Sequence, residues 1–134
     1  MIPAAPPSVL RVARATNDFG PILAFYRDGL GFAELGRFEG HDGFDGIILG
    51  HPAWPYQFEF TIEHGNLAQR SVSPEQLLVF YLPDETAWQA AVDRMEQLGV
   101  VPVAANNPYW DRRGKTFEDP DGFRVVLENS NSPF

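Results

Sequence analysis

Apolar positions along the chain switch between two spacings, and the switch happens twice. The segment "VLRVARA" alternates and predicts a strand. In "TNDFGPILAFYRDGLGF", Ile22, Phe25, Tyr26 and Leu30 fall at helical spacing, after Asn17 or Asp18 as cap and before Gly31 as the stop. "FAELGRF", "FDGIILG" and "YQFEFTI" then read as three strands. The pattern restarts with "QLLVFYL", a strand, and "PDETAWQAAVDRMEQLGV", a helix capped by Asp84. Trp88, Ala91, Val92 and Met95 form its apolar face, and Gly99 stops it. "VVPVA", "GKTFEDP" and "FRVVLEN" follow as strands. Asp18 and Asp84 stand at nearly the same offset as Gly31 and Gly99, so the chain predicts a tandem repeat. Each half reads strand–helix–strand–strand–strand. The prediction is an α+β fold of two βαβββ modules, about 8–63 and 75–130, within one domain over 1–134. The polar, turn-rich "EHGNLAQRSVSPE" joins them.

A four-stranded sheet with one helix has one face covered, and its other face must find a partner or line a cavity. Two modules meet that need together by enclosing a cleft. Strand alternation assigns the faces. Val12, Phe58, Phe60, Leu78, Phe80, Leu82, Val125 and Leu127 go to the helices. Arg11, Ala13, Gln57, Glu59, Thr61, Leu77, Val79, Tyr81, Arg124 and Val126 go to the cleft. The repeat aligns Arg11 with Leu77 and Glu59 with Val126, so one cation, one anion and two hydrocarbons converge.

Composition narrows the function. A chain of 134 residues holds one domain with a core and is too short for two independent ones. Eighteen acidic against ten basic residues give a charge of −8, which excludes a nucleic-acid surface and an anionic membrane as partners. The charge permits a cationic ligand and equally serves solubility. With no cysteine there is no disulfide, thiolate metal site or Cys nucleophile. The start, "MIPAAPPSVL", has neither the basic region nor the apolar run of a signal peptide, and no stretch reaches membrane-spanning length. A cytoplasmic location is the expectation. The chain also has no P-loop, no G-x-G-x-x-G and no serine nucleophile elbow.

The tandem modules, the Leu-Gly-Phe after the first helix and "FEDPDGFRVVLE" resemble the vicinal oxygen chelate superfamily of glyoxalases, extradiol dioxygenases, and bleomycin and fosfomycin resistance proteins. "HDGFDGIILG", "FEFT" and "NPYWDRRGKTFEDPDG" resemble a small bacterial branch of it. The resemblance implies the glyoxalase/bleomycin-resistance fold and a homodimer. In metal-using members the ligands come from the first and last strand of each module, which here means Arg11, Leu77, Glu59 and Val126. Only Glu59 is a metal donor, so no cofactor is expected.

The leading expectation is a small-molecule binder with a metal-free cleft lined by Arg11, Gln57, Glu59, Leu77, Tyr81, Arg124 and Val126, with Tyr109 and Trp110 at the rim. Glu59 beside Arg11 reads either as an ion pair or as an anchor for a polar ligand. Tyr109 and Trp110 offer a stacking wall, a closure of the core or a dimer contact. The alternative is a metal-dependent lyase, isomerase or dioxygenase with a relocated zinc, nickel, manganese or iron site built on Glu59 and His41. Those two residues are its catalytic candidates, with Gln57 and water completing the shell. Asp42 or Asp45 would orient His41; as a loop residue, it would instead only organise the turn.

Overall fold

The computed structural model describes residues 2–134. They fall into two compact units, one of residues up to Phe19 with Phe32–Ala68, the other of Gly20–Gly31 with Gln69–Phe134.

The first unit is a four-stranded sheet of β1 (Leu10–Ala15), β2 (Ala33–His41), β3 (Phe44–Gly50) and β4 (Tyr56–Glu63), in the order β1-β4-β3-β2. β2, β3 and β4 form an antiparallel meander, and β1 closes the sheet by pairing parallel with β4. Alternation does the sorting. Val12, Phe58 and Leu49 share one register row and Phe60 and Ile47 the next, and the four residues on β3 and β4 are buried. Phe32 stacks on Phe58 at 5.3 Å, and Trp54 stacks on Tyr56 at 5.1 Å. This aromatic group fixes the loop between β3 and β4, and burial pushes the Tyr56 phenol up from its ordinary value.

The second unit holds a three-stranded sheet of β5 (Leu77–Tyr81), β6 (Gly114–Glu118) and β7 (Arg124–Glu128), in the order β5-β7-β6. β5 runs parallel to β7, repeating the pairing of first with last strand. The predicted strand at 100–104 is not one: only Val103 joins the sheet, through a single bridge to Thr116. Pro102 beside it has no N–H to give to a ladder.

Helix α1 (Phe19–Ile22) continues in wider π register over Leu23–Gly29, and Leu30 N–H donates to the Phe25 carbonyl at 3.0 Å. Although it lies between β1 and β2 in sequence, its body is grouped with the second sheet. Gly29 sits so close to Met95 of α2 (Glu85–Gln97) that a Cβ would collide with the thioether. Arg94 Nε donates to the Asp28 carbonyl at 2.7 Å. Tyr26 OH donates at 2.6 Å to Asp119, whose other oxygen accepts from the Asp121 and Phe123 N–H groups. Asp119 thereby ties the Asp-Pro-Asp-Gly turn to the first helix. Burial pushes its carboxyl up, while Tyr26 and the turn N–H groups pull it back.

Asp84 caps α2 by accepting from Ala87 N–H, and Val92 and Met95 are its buried residues. Both predicted glycine stops, Gly31 and Gly99, adopt left-handed φ of 82° and 83°. α3 (Tyr109–Arg112) is a single turn packed beside β6. Among the described residues no helix is long and apolar enough to cross a membrane.

Candidate functional site

On the first sheet, the face opposite Phe58 and Phe60 carries the polar residues. The parallel pairing sets Arg11 across from Gln57 and Ala13 across from Glu59. Arg11 Nε and Nη2 donate to Gln57 Oε1 at 3.1 and 2.9 Å, and Nη1 lies 3.9 Å from Glu59 Oε2. The guanidinium is therefore held in a fork by the amide and only loosely by the carboxylate. The Arg11 side chain is 48% exposed and that of Glu59 18%, so water and solute reach the pair. Glu59's neighbours are Ala13 on β1 and Ile48 on β3, and the Phe38 ring covers Gly46.

On the second sheet, Leu77 pairs with Arg124, Val79 with Val126 and Tyr81 with Glu128. Val126 is fully buried, while Leu77 and Tyr81 are half-buried. Arg124 is already engaged, its Nε 3.3 Å from Glu118 and its Nη1 donating to the Ala104 carbonyl. Thr116, across from Val126, is 1% exposed and Glu128 is 2% exposed. Among the described residues neither Thr116 Oγ1 nor Glu128 Oε1 has a hydrogen-bond partner. Sequence reasoning missed both residues, although Glu128 shares strand parity with Arg124 and Val126 and that signal was legible. Tyr109 and Trp110 meet edge to face at 4.9 Å on α3, with Arg112 over the Tyr109 ring. Arg113 donates to the Asn129 carbonyl at 2.8 Å.

The histidines lie elsewhere. His41 is exposed at the β2–β3 turn, 3.7 Å from Asp42. Asp45 does not orient it; Asp45 sits 2.9 Å from His64 and accepts from Gly40 N–H. The Gly40 N–H first, and His64 after it, hold the Asp45 carboxyl below its ordinary value. His51 Nδ1 accepts from Ala53 N–H in the next loop.

Known proteins share this layout. A YycE-like N-terminal domain model matches residues 10–61 and a YycE-like C-terminal domain model matches 75–129. YycE of Bacillus subtilis (strain 168), itself uncharacterized, is 39% identical over 90% of this chain and 87% of its own. The chain belongs to the YycE-like family. A solved YycE protein of unknown function from Bacillus subtilis superposes with a TM-score of 0.86 at 38% identity, over 94% of this chain and 92% of that one. More distant structures share the fold alone. Glyoxalase I of Leishmania major has a TM-score of 0.70 at 18% identity, over 91% and 86% of the two chains. TnmS3, an antibiotic binding protein from a Streptomyces species, has 0.63 at 20%, over 93% and 97%. This YycE-like chain is thus a glyoxalase/fosfomycin-resistance-like protein of the vicinal oxygen chelate superfamily.

At the positions that align with the superfamily's metal ligands this YycE-like chain carries one donor. Of Arg11, Leu77, Glu59 and Val126 only Glu59 can bind a divalent ion, which takes three or more protein ligands. Among the described residues no group of three or more His, Cys, Asp or Glu is placed to hold one. The relocated site fails on register. His41 and Glu63 both face Phe44, whereas Glu59 faces Ile48, four residues further along β3. At the rise of an antiparallel strand that separates His41 from Glu59 by roughly 13 Å. They cannot share an ion, and we route no step through one.

Proposed function

We propose that the protein binds a small organic molecule without a metal, using Arg11, Gln57 and Glu59 as its polar anchor. The observation that carries this reading is the accessible cation–amide–carboxylate cluster of Arg11, Gln57 and Glu59 on one sheet face. Ligand sites combine an apolar wall with a few convergent polar groups of this kind. A ligand acceptor fits the outer edge of the Arg11 guanidinium, and a ligand donor fits Glu59.

A thermal-shift screen of small organic compounds tests it, run on metal-stripped protein and repeated with added zinc, nickel, manganese and iron. Hits are expected on the stripped protein. They should weaken by about tenfold in Arg11→Ala and Glu59→Gln, the loss of one charge-assisted hydrogen bond. An absence of hits, or hits indifferent to both changes, would overturn the reading. A sharp stabilisation of the unmodified protein by one of the metals would do the same.

A further inference from the structure

The second sheet carries a pair of polar groups that the site above does not use. Glu128 and Thr116 lie on the face that also bears Val79, Tyr81 and Val126, Thr116 across from Val126 and Glu128 next along β7. Both are more than nine-tenths buried, and Glu128 Oε1 and Thr116 Oγ1 have no hydrogen-bond partner among the described residues. Native folds rarely leave a buried polar atom unmatched unless it serves something beyond the fold. The local design makes room for the acid. A Cβ on Gly114 would stand 2.7 Å from Glu128 Oε1 and 2.7 Å from the Trp110 carbonyl, so only glycine fits beneath the carboxyl.

The nearby cations do not satisfy Glu128. Arg113 spends its Nε on the Asn129 carbonyl, and Arg124 is held by Glu118 and Ala104. On the neighbouring strand Tyr81 is Glu128's register partner, and β6 places Gly114, Thr116 and Glu118 on this face, the last paired with Arg124. β5 and β6 are the edge strands, and Leu77, Val79 and Tyr81 on β5 are half-buried. Burial pushes the Glu128 carboxyl above its ordinary value, with Arg113 pulling weakly the other way, as for an acid waiting on a counter-charge.

Resting on the reading that the chain binds a small molecule, we propose that this face is a site for an amphipathic amine. Glu128 receives the ammonium group, Thr116 Oγ1 makes a second hydrogen bond, and Val79 and Tyr81 contact the apolar body. The chain's charge of −8 draws cations toward it. The class follows from the groups present: a buried carboxyl oxygen without a hydrogen bond takes a donor, and the hydrocarbons around it select against a fully hydrated ion.

Calorimetric titration with benzylamine, benzyl alcohol and benzoate tests the proposal. Benzylamine should bind, and the alcohol and the acid should bind at least about tenfold more weakly. Glu128→Gln should lower benzylamine affinity by about tenfold or more. Thr116→Val should cost less, and Glu96→Gln, an exposed acid on α2, should change nothing. Glu128→Leu gives the same loss in a variant that removes the buried polar atom altogether, so a misfolded glutamine variant does not decide the matter. Benzylamine binding that survives both Glu128 changes overturns this site. If the alcohol or the acid still binds, small-molecule binding stands; if none of the three binds and the compound screen is empty, both readings fall.

Discussion

On the first sheet Glu59 lies 3.9 Å from an Arg11 guanidinium that the Gln57 amide holds, in reach of water. On the second, its register counterpart is Val126, and the carboxylate stands one pleat further on, at Glu128, buried and with no hydrogen bond to Oε1 among the described residues. The frames are the same: Arg11 pairs with Gln57 as Leu77 pairs with Arg124, so Glu59 matches Val126 and Thr61 matches Glu128. What differs is how each charge is handled. An exposed pair contributes on the order of 0–1 kcal/mol and costs little to keep. A buried acid that accepts no hydrogen bond loses hydration and gets back from the fold only the attraction of Arg113. A repeat can therefore preserve its geometry while moving its polar centre from a solvated position to a desolvated one.

The largest effect that sharpens this contrast is expected at the glycines under each face. Gly114→Ala sets a methyl against the Trp110 carbonyl, the Leu127 carbonyl and Glu128. Backbone cannot yield as a side chain can, so denaturant melts should show a loss of about 2–3 kcal/mol. Gly46→Ala meets only the Phe38 ring, which is half-buried and can turn, and should lose about 1 kcal/mol or less. Equal losses would break the contrast.

Next come the acids themselves. Glu128→Leu should stabilise the protein at neutral pH by about 1–2 kcal/mol, because it removes an unsatisfied buried polar group. The sign of the pH dependence follows from the raised carboxyl. The folded state holds the proton more tightly than the unfolded chain, so the Glu128 contribution is fully present below 4.5 and is lost as pH rises from there through the raised value. The stability gap between Glu128→Gln and the unmodified protein should therefore widen in favour of the variant as pH climbs above 4.5, measured by melts at stepped pH. A gap independent of pH would mean that Glu128 already has a partner in solution. Smallest of all, Glu59→Gln should shift stability by no more than about 0.5 kcal/mol, since its partner is half-exposed.

Much of the architecture was legible in the sequence because periodicity and capping are local. The Asp84 cap, the two left-handed glycine stops, and β3 to the residue at both ends followed from pattern alone. The α+β class and the superfamily resemblance stand with them. The strand expected at 100–104 failed because alternation was weighed above the missing N–H of Pro102. The π register of the first helix and its grouping with the second sheet left no local trace, since both depend on Met95, Arg94 and Asp119 far along the chain. Arg11, Gln57 and Glu59 were read together from strand parity, and the structure brings those three side by side. Of the two acids the sequence offers beside His41, Asp42 lies 3.7 Å from it, whereas the hairpin register gives Asp45 to His64. Glu128 went unnoticed because its burial and its want of a partner exist only once β5, β6 and β7 are side by side.

The parallel closure of each sheet also sets an order of assembly. β2, β3 and β4 are joined by short turns and can zip together as soon as they leave the ribosome. β1 is made first but has no strand to join until β4 arrives, because its Arg11 and the Gln57 it binds are 46 residues apart. Closing that long loop is the slow, entropically costly event, so β1 docks last onto a finished meander. Until it does, the edge of β4 is bare and open to another chain's strand. The fork between Arg11 and Gln57 is then the latch of the first sheet as well as its proposed ligand anchor, and weakening it would be felt in aggregation during synthesis before it is felt in the stability of the finished protein.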